Sequence, residues 1–131
     1  MNLHDISGHP FDLPEEGLIF IDLWYVGCAP CMKSAPVIEK LYNGFKDQVY
    51  FFSVNEIDRD TTKIINFRKK MGITFPVLLG GKEKLVSKLT GSAGYPLFFL
   101  MDAESRMVLW SFAGYAENLE EIIAEAIKNN L

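Results

Sequence analysis

The sequence predicts one α/β domain, with helices flanking a central sheet of mixed strand direction. Three observations carry this. The chain has 131 residues, 49% of them hydrophobic, enough for a single sizeable core. A buried-strand pattern over Leu18–Val26 passes through a tight turn straight into a helical pattern. Beyond it, short β-type runs alternate with helical spacings, and two β-type runs around a turn-like tetrapeptide precede a last helical pattern.

The organising stretch is Leu18-Ile19-Phe20-Ile21-Asp22-Leu23-Trp24-Tyr25-Val26-Gly27-Cys28-Ala29-Pro30-Cys31. Its apolar, β-branched and aromatic opening reads as the core strand, Leu18 to Val26. After Gly27 come two cysteines with two residues between them. Val37, Leu41 and Phe45 then recur every four residues with Ile38 and Tyr42 beside them, predicting a helix from about Ala29 to Phe45. Cys28 falls at or just before that helix's N-terminus. Free N–H groups and the helix dipole there favour an anion, so a thiol ionises more readily. The thiolate is the species that attacks disulfides, and a CxxC beside a βαβ pattern reads as a redox motif.

The bland readings of the cysteines are weaker. Two cysteines exclude a multi-disulfide scaffold. A structural zinc site needs about four ligands, and both histidines, His4 and His9, lie far away near the N-terminus. An inert Cys28–Cys31 bridge would close too small a loop to restrict the unfolded chain much.

The remaining elements follow in order. Residues 1–17 carry turn residues around Ile6, Phe11 and Leu13, and Pro10 and Pro14 confine any strand there to an edge. Tyr50 to Asn55 is the next buried strand. Asp58-Arg59-Asp60-Thr61-Thr62 opens a helix carrying Ile64, Phe67 and Met71, which Gly72 ends. Phe75 to Leu79 is a short strand and Lys82 to Leu89 a short helix. Leu97 to Met101 and Met107 to Phe112 form a hairpin around Asp102-Ala103-Glu104-Ser105. Asn118 starts a last helix with an apolar stripe of Leu119, Ile122, Ile123, Ala126 and Ile127, and Glu121 completes a capping-box pattern.

Charge narrows the function. The net charge is −4, and Arg68-Lys69-Lys70 is only the solvated end of a helix, so nucleic-acid binding is not expected. No apolar run reaches bilayer length, and Asp22 interrupts the best one. The first residues lack a positively charged region followed by an apolar core, so no signal peptide is expected in this sequence.

Asp22 stands six residues before Cys28, Trp24 four before it and Pro36 five after Cys31. Together with Gly94-Tyr95-Pro96-Leu97-Phe98-Phe99-Leu100, these residues resemble the thioredoxin-fold thiol–disulfide oxidoreductases, in their TlpA/ResA-like branch, over nearly the whole chain. The resemblance implies a thioredoxin-like fold with a short edge hairpin at 1–17. It also implies a helix-plus-strand insertion at 58–89, matched at Phe67, Gly72, Phe75 and Pro76. Pro96 would be the family's cis-proline, and the Tyr95 backbone would pair with substrate.

Cys28, on the exposed turn, is the expected nucleophile and Cys31, covered by the helix, the resolving thiol. Asp22, buried with a raised pKa, would take the Cys31 proton. Substrate would meet Tyr95, Pro96, Gly27, Ala29, Pro30 and Trp24, although Trp24 and Tyr25 read first as packing. Glu56 and Asp58 are candidates for an acid that ResA-like proteins hold near their cysteines, and helix capping explains Asp58 equally well. Two features depart from the family. Gly27 replaces a tryptophan, and Phe51 to Asn55 lacks the lysine that thioredoxins carry near the buried acid.

The implied activity is disulfide exchange with other proteins, as a reductant in cell redox homeostasis or cytochrome maturation, with no cofactor or metal. The implied partners are protein thiols or disulfides and an upstream redox protein, acting on a monomer with no membrane segment of its own. The branch works mostly outside the cytoplasm, which implies a periplasmic domain, anchored through a longer precursor; a cytoplasmic relative is the other reading. Two further functions stay open: a thiol peroxidase, which would have threonine where Tyr25 stands, and a non-catalytic peptide-binding domain of the same fold.

Overall fold

A strand with no polar face has no side to offer water, so β2 (Leu18–Leu23), buried at every position, lies inside the sheet with a neighbour on each edge. The computed structural model describes residues 2–91 and 94–131. Its strands are β1 (His4–Asp5), β2, β3 (Val49–Asn55), β4 (Val77–Leu79), β5 (Leu97–Asp102) and β6 (Val108–Ala113). Its helices are α1 (Ala29–Phe45), α2 (Thr61–Met71) and α3 (Leu119–Asn130), with one 3₁₀ turn at Ser87–Leu89. The sheet order is β1-β4-β3-β2-β5-β6. β2 runs parallel to β3, and β3 to β4, while β1–β4, β2–β5 and β5–β6 are antiparallel.

Strand alternation divides the core in two. Leu18, Phe20, Trp24, Phe51, Phe98 and Leu100 point to one face, where they pack with Ala35, Ile38 and Leu41 of α1, Ile64 and Phe67 of α2, and Ile123 and Ile127 of α3. Ile19, Ile21, Leu23, Val54, Phe99 and Met101 point to the other, covered by Leu3 and Leu13 of the N-terminal segment and by Val86. The first segment folds back on itself from Asn2 onward. The Phe11 N–H donates to the Leu3 carbonyl at 2.9 Å, and His4 bridges to Pro10.

Two elements differ from expectation because an acceptor arrives from outside the local pattern, and two helix caps differ for local reasons. The core strand ends at Leu23 and not at Val26, since the Val26 N–H donates to the Asp58 carboxylate at 2.7 Å. The expected helix over Lys82–Leu89 shrinks to its last three residues. Lys84 takes a left-handed φ of 52°, and the Val86 and Ser87 amides donate to Glu56 rather than to helical carbonyls. Asp60, not Asp58, caps α2, accepting from the Thr62 N–H at 3.0 Å. The Asn118 side chain makes no cap bond on α3, so the capping box does not form, and Glu120 and Glu121 complement the helix dipole instead. Among the described residues, no helix is long and apolar enough to cross a membrane.

Phe98 is fully buried beside the Phe20 ring, with ring centres 6.0 Å apart. Phe98→Ala should cost about 3–5 kcal/mol through the cavity it leaves. The expected result in denaturant melts is a lower midpoint at an unchanged slope; a loss below about 1 kcal/mol would mean the core collapses around the gap.

Candidate active site

The site forms where β2 leaves the sheet and α1 begins. The Trp24 N–H still reaches the Val54 carbonyl at 3.3 Å, and the Val26 N–H then turns to Asp58. Gly27 has a φ of +91°, a left-handed value that side chains resist, with nothing within 4 Å of where a Cβ would stand. The Cys28 N–H folds back onto the Tyr25 carbonyl at 3.3 Å. Cys28 is the N-cap of α1, and its sulfur accepts from the Cys31 N–H at 3.3 Å. Pro30 occupies the second helical position, where a missing N–H costs the helix nothing. No acidic side chain lies in that first turn.

Cys28 and Cys31 are joined in a disulfide, with Cα atoms 5.2 Å apart. The expected contrast between an exposed and a covered sulfur is absent: the two residues are 2% and 3% exposed. The Cys28 sulfur sits over the first helical turn, accepting from the Cys31 N–H, and Gly27, Ala29 and Pro30 carry the exposure around it.

Asp22 lies two residues from Phe20 and from Trp24, on the sheet face that packs with Cys28, Cys31 and Ala35. Its register partners are Ser53 and Phe98. Asp22 is 6% exposed, and burial pushes its pKa up to about 7. Asp22 Oδ1, Ser53 Oγ and Trp24 Nε1, all on that face, have no hydrogen-bond partner among the described residues. An uncompensated carboxylate would be costly there.

The two later acids separate. Asp58 is tied to the cysteine turn, accepting from the Val26 N–H at 2.7 Å and from Asn55 Nδ2 at 2.8 Å. Asn55 Oδ1 in turn accepts from the Ile57 and Asp58 amides, so the end of β3 is knotted onto the turn. Glu56 is buried and faces elsewhere, its two oxygens taking the Val86 and Ser87 amides at 2.9 and 3.0 Å.

Of the expected substrate-facing residues, Gly27, Ala29 and Pro30 are exposed and Tyr95 is half-buried. The Tyr95–Pro96 peptide bond is cis, Pro96 is buried, and its carbonyl accepts from the Gly114 N–H at 2.7 Å. Trp24 does not belong with them: it is 2% exposed and stacked on Phe67 at 4.4 Å, so it supports the turn from beneath. The sequence reading missed Asn55 and the edge-on contact of Tyr25 with Tyr95, ring centres 5.4 Å apart, which joins the cysteine turn to the Pro96 loop. An Asn closing a strand three residues before an Asp was the available signal for the first. Among the described residues, no group of three or more His, Cys, Asp or Glu side chains could hold a metal ion.

Burial of Asp22 fixes the sign of a pH effect. Its folded pKa of about 7 lies above the unfolded value of about 3.9, so the native state keeps a proton that the unfolded chain releases. Stability from this group is complete below about pH 4 and is lost as pH rises toward 7, by roughly 2–4 kcal/mol. Asp22→Asn should therefore match the parent at pH 4 and exceed it at pH 8 in denaturant melts. A variant less stable at pH 8 would make the carboxylate a net stabilising partner.

The geometry can be set beside known proteins. No protein-family model matches the chain. The thiol-disulfide oxidoreductase ResA of Halalkalibacterium halodurans is 30% identical over 129 residues, covering 96% of this chain and 72% of that protein. ResA of Bacillus thuringiensis is 28% identical over 120 residues, covering 92% of this chain and 62% of its own length. A crystal structure from Chlorobium tepidum, described as the thiol:disulfide interchange protein DsbE, superposes with a TM-score of 0.82 at 23% identity, over 97% of this chain and 89% of that one. That likeness speaks to fold alone, and the fold is thioredoxin-like. The cysteine pair, set between β2 and α1 on that fold and carried in a sequence aligned across nearly its whole length, assigns the chain to the ResA family of thiol–disulfide oxidoreductases.

Proposed function

We propose that the chain transfers two electrons from the Cys28–Cys31 dithiol to disulfides of other proteins. The observation that carries this is a cysteine pair at a helix N-terminus, in one core cluster with the face that holds a protonatable buried acid. In the reduced protein, the Cys28 thiolate is favoured by the α1 dipole and by the Cys31 N–H that now contacts its sulfur. It attacks one sulfur of the substrate disulfide, forming a mixed disulfide and expelling a substrate thiolate. Cys31 gives its proton to Asp22, whose pKa near neutrality suits that transfer. The Cys31 thiolate then attacks the Cys28 sulfur and releases the second substrate thiolate, leaving the Cys28–Cys31 disulfide. An upstream dithiol returns the two electrons.

Reduction rather than oxidation follows from the resemblance to the TlpA/ResA branch, which also supports work outside the cytoplasm. Gly27, Ala29, Pro30 and the Tyr95 loop would receive the polypeptide around its disulfide, and Asp58 would hold the turn in place.

Equilibration in dithiothreitol or glutathione redox buffers should give one reversible two-electron transition. A non-catalytic domain would show none, and a peroxidase would consume peroxide with a thiol donor. Cys31→Ser should trap a mixed disulfide with substrate proteins while Cys28→Ser traps none; equal trapping would overturn the assignment of roles. Asp22→Asn should slow exchange about tenfold or more at neutral pH by removing the proton acceptor, and an unchanged rate would confine Asp22 to structure.

A further inference from the structure

The rim of the cysteine site continues past the turn, along one stripe of α1. Ala29 is exposed beside Cys28, and exposed Lys33 follows it four residues later. The two therefore share a helical face, with Cβ atoms about 5–6 Å apart. The Lys33 ammonium lies 5.8 Å from the centre of the Tyr115 ring, within range of a cation–π contact. Tyr115, 38% exposed, follows Gly114, whose N–H donates to the Pro96 carbonyl at 2.7 Å. The loop between β6 and α3 thus meets both the Pro96 loop and the face of α1 next to the cysteines.

The charge on this stripe has no acid of its own. Among the described residues no carboxylate pairs with Lys33, whereas Lys40, two turns further on, is held by Glu120 at 3.0 Å. No acidic side chain lies in the first turn of α1, and Asp58 already accepts from the Val26 and Asn55 donors. A chain of net charge −4 therefore presents an unpaired cation beside its cysteine pair. An extended polypeptide advances about 3.3 Å per residue, so a side chain one or two positions from a bound cysteine comes within reach of Lys33. We infer that Lys33, steadied by the Tyr115 ring, is a specificity-determining residue that favours polypeptides with an acidic side chain next to the cysteine being exchanged. This rests on the exchange activity proposed above and names its substrate class. A lysine kept only to solvate the helix would respond to no feature of the substrate, and rates separate the two roles.

The test uses the reduced protein and two synthetic peptides, alike except that glutamates or lysines flank a single cysteine blocked as a mixed disulfide with nitrothiobenzoate. Attack at the peptide sulfur expels the coloured nitrothiobenzoate thiolate. Each second-order rate is divided by the rate of the same peptide with dithiothreitol, which removes the peptide's own reactivity. The parent should favour the glutamate peptide about threefold in dilute buffer, and the preference should vanish in ~1 M salt. Lys33→Glu should reverse it, changing the ratio about tenfold. Lys46→Glu, the same charge change about 20 Å further along α1, should move the ratio less than about twofold. Tyr115→Ala should lower the preference about twofold, while Tyr115→Phe, which keeps the ring face, should retain it.

A preference that is absent in the parent, survives high salt, or moves equally with Lys33→Glu and Lys46→Glu would overturn the inference while leaving disulfide exchange intact. Equal ratios in Tyr115→Ala and Tyr115→Phe would do the same. A parent protein that reduces neither peptide would overturn the exchange reading itself, and this inference with it.

Discussion

The turn between β2 and α1 depends on finding an acceptor for each amide as the chain leaves the sheet. Trp24 uses the last carbonyl within reach on β3, Val26 a carboxylate two residues beyond Glu56, Cys28 its own turn, and Cys31 a sulfur. Without Asp58, the Val26 N–H would be left half-buried and unpaired, a cost comparable to a whole hydrogen bond. Through that one bond, the loop after β3 sets where α1 starts and therefore where the cysteines lie. Asn55 braces the arrangement by accepting two amides and donating to the same carboxylate.

The parts of this protein that were legible in its sequence are those whose causes are local. β2 and α1 show as an unbroken apolar run and a four-residue periodicity, and α1 spans the expected Ala29–Phe45. The cysteine spacing and Asp22 inside an apolar strand point directly to the site. What could not be read came from partners about thirty residues away. Val26 looks like strand and Lys82–Leu89 looks like helix until Asp58 and Glu56 take their amides. The burial of Cys28 was hidden too, because it comes from packing in the core cluster beneath the turn, which spacing alone does not encode.

Asp22 shows how a fold and its chemistry pull apart. Between Phe20 and Trp24, on a face shared with Phe98 and the first turns of α1, an apolar residue would pack without penalty. The chain holds a carboxyl there, kept from ionising until near-neutral pH by the same burial that makes the position costly. The core can carry this because its aromatic pairs, Phe20 with Phe51 and Phe98, and Trp24 with Phe67, are dense around it.

The brevity of β1 bears on how the molecule lives in a crowded solution. A mixed sheet leaves its outermost strand with a row of unpaired donors and acceptors, the template on which a foreign chain can assemble. Here that rim is two residues long and ends in a knot of its own: the Asp5 carboxylate accepts the Ser7 and His9 amides, the Asp5 N–H is spent on the His9 carbonyl, and Pro10 has no N–H to offer. The β1 edge of the sheet thereby offers a foreign chain almost no ladder to extend.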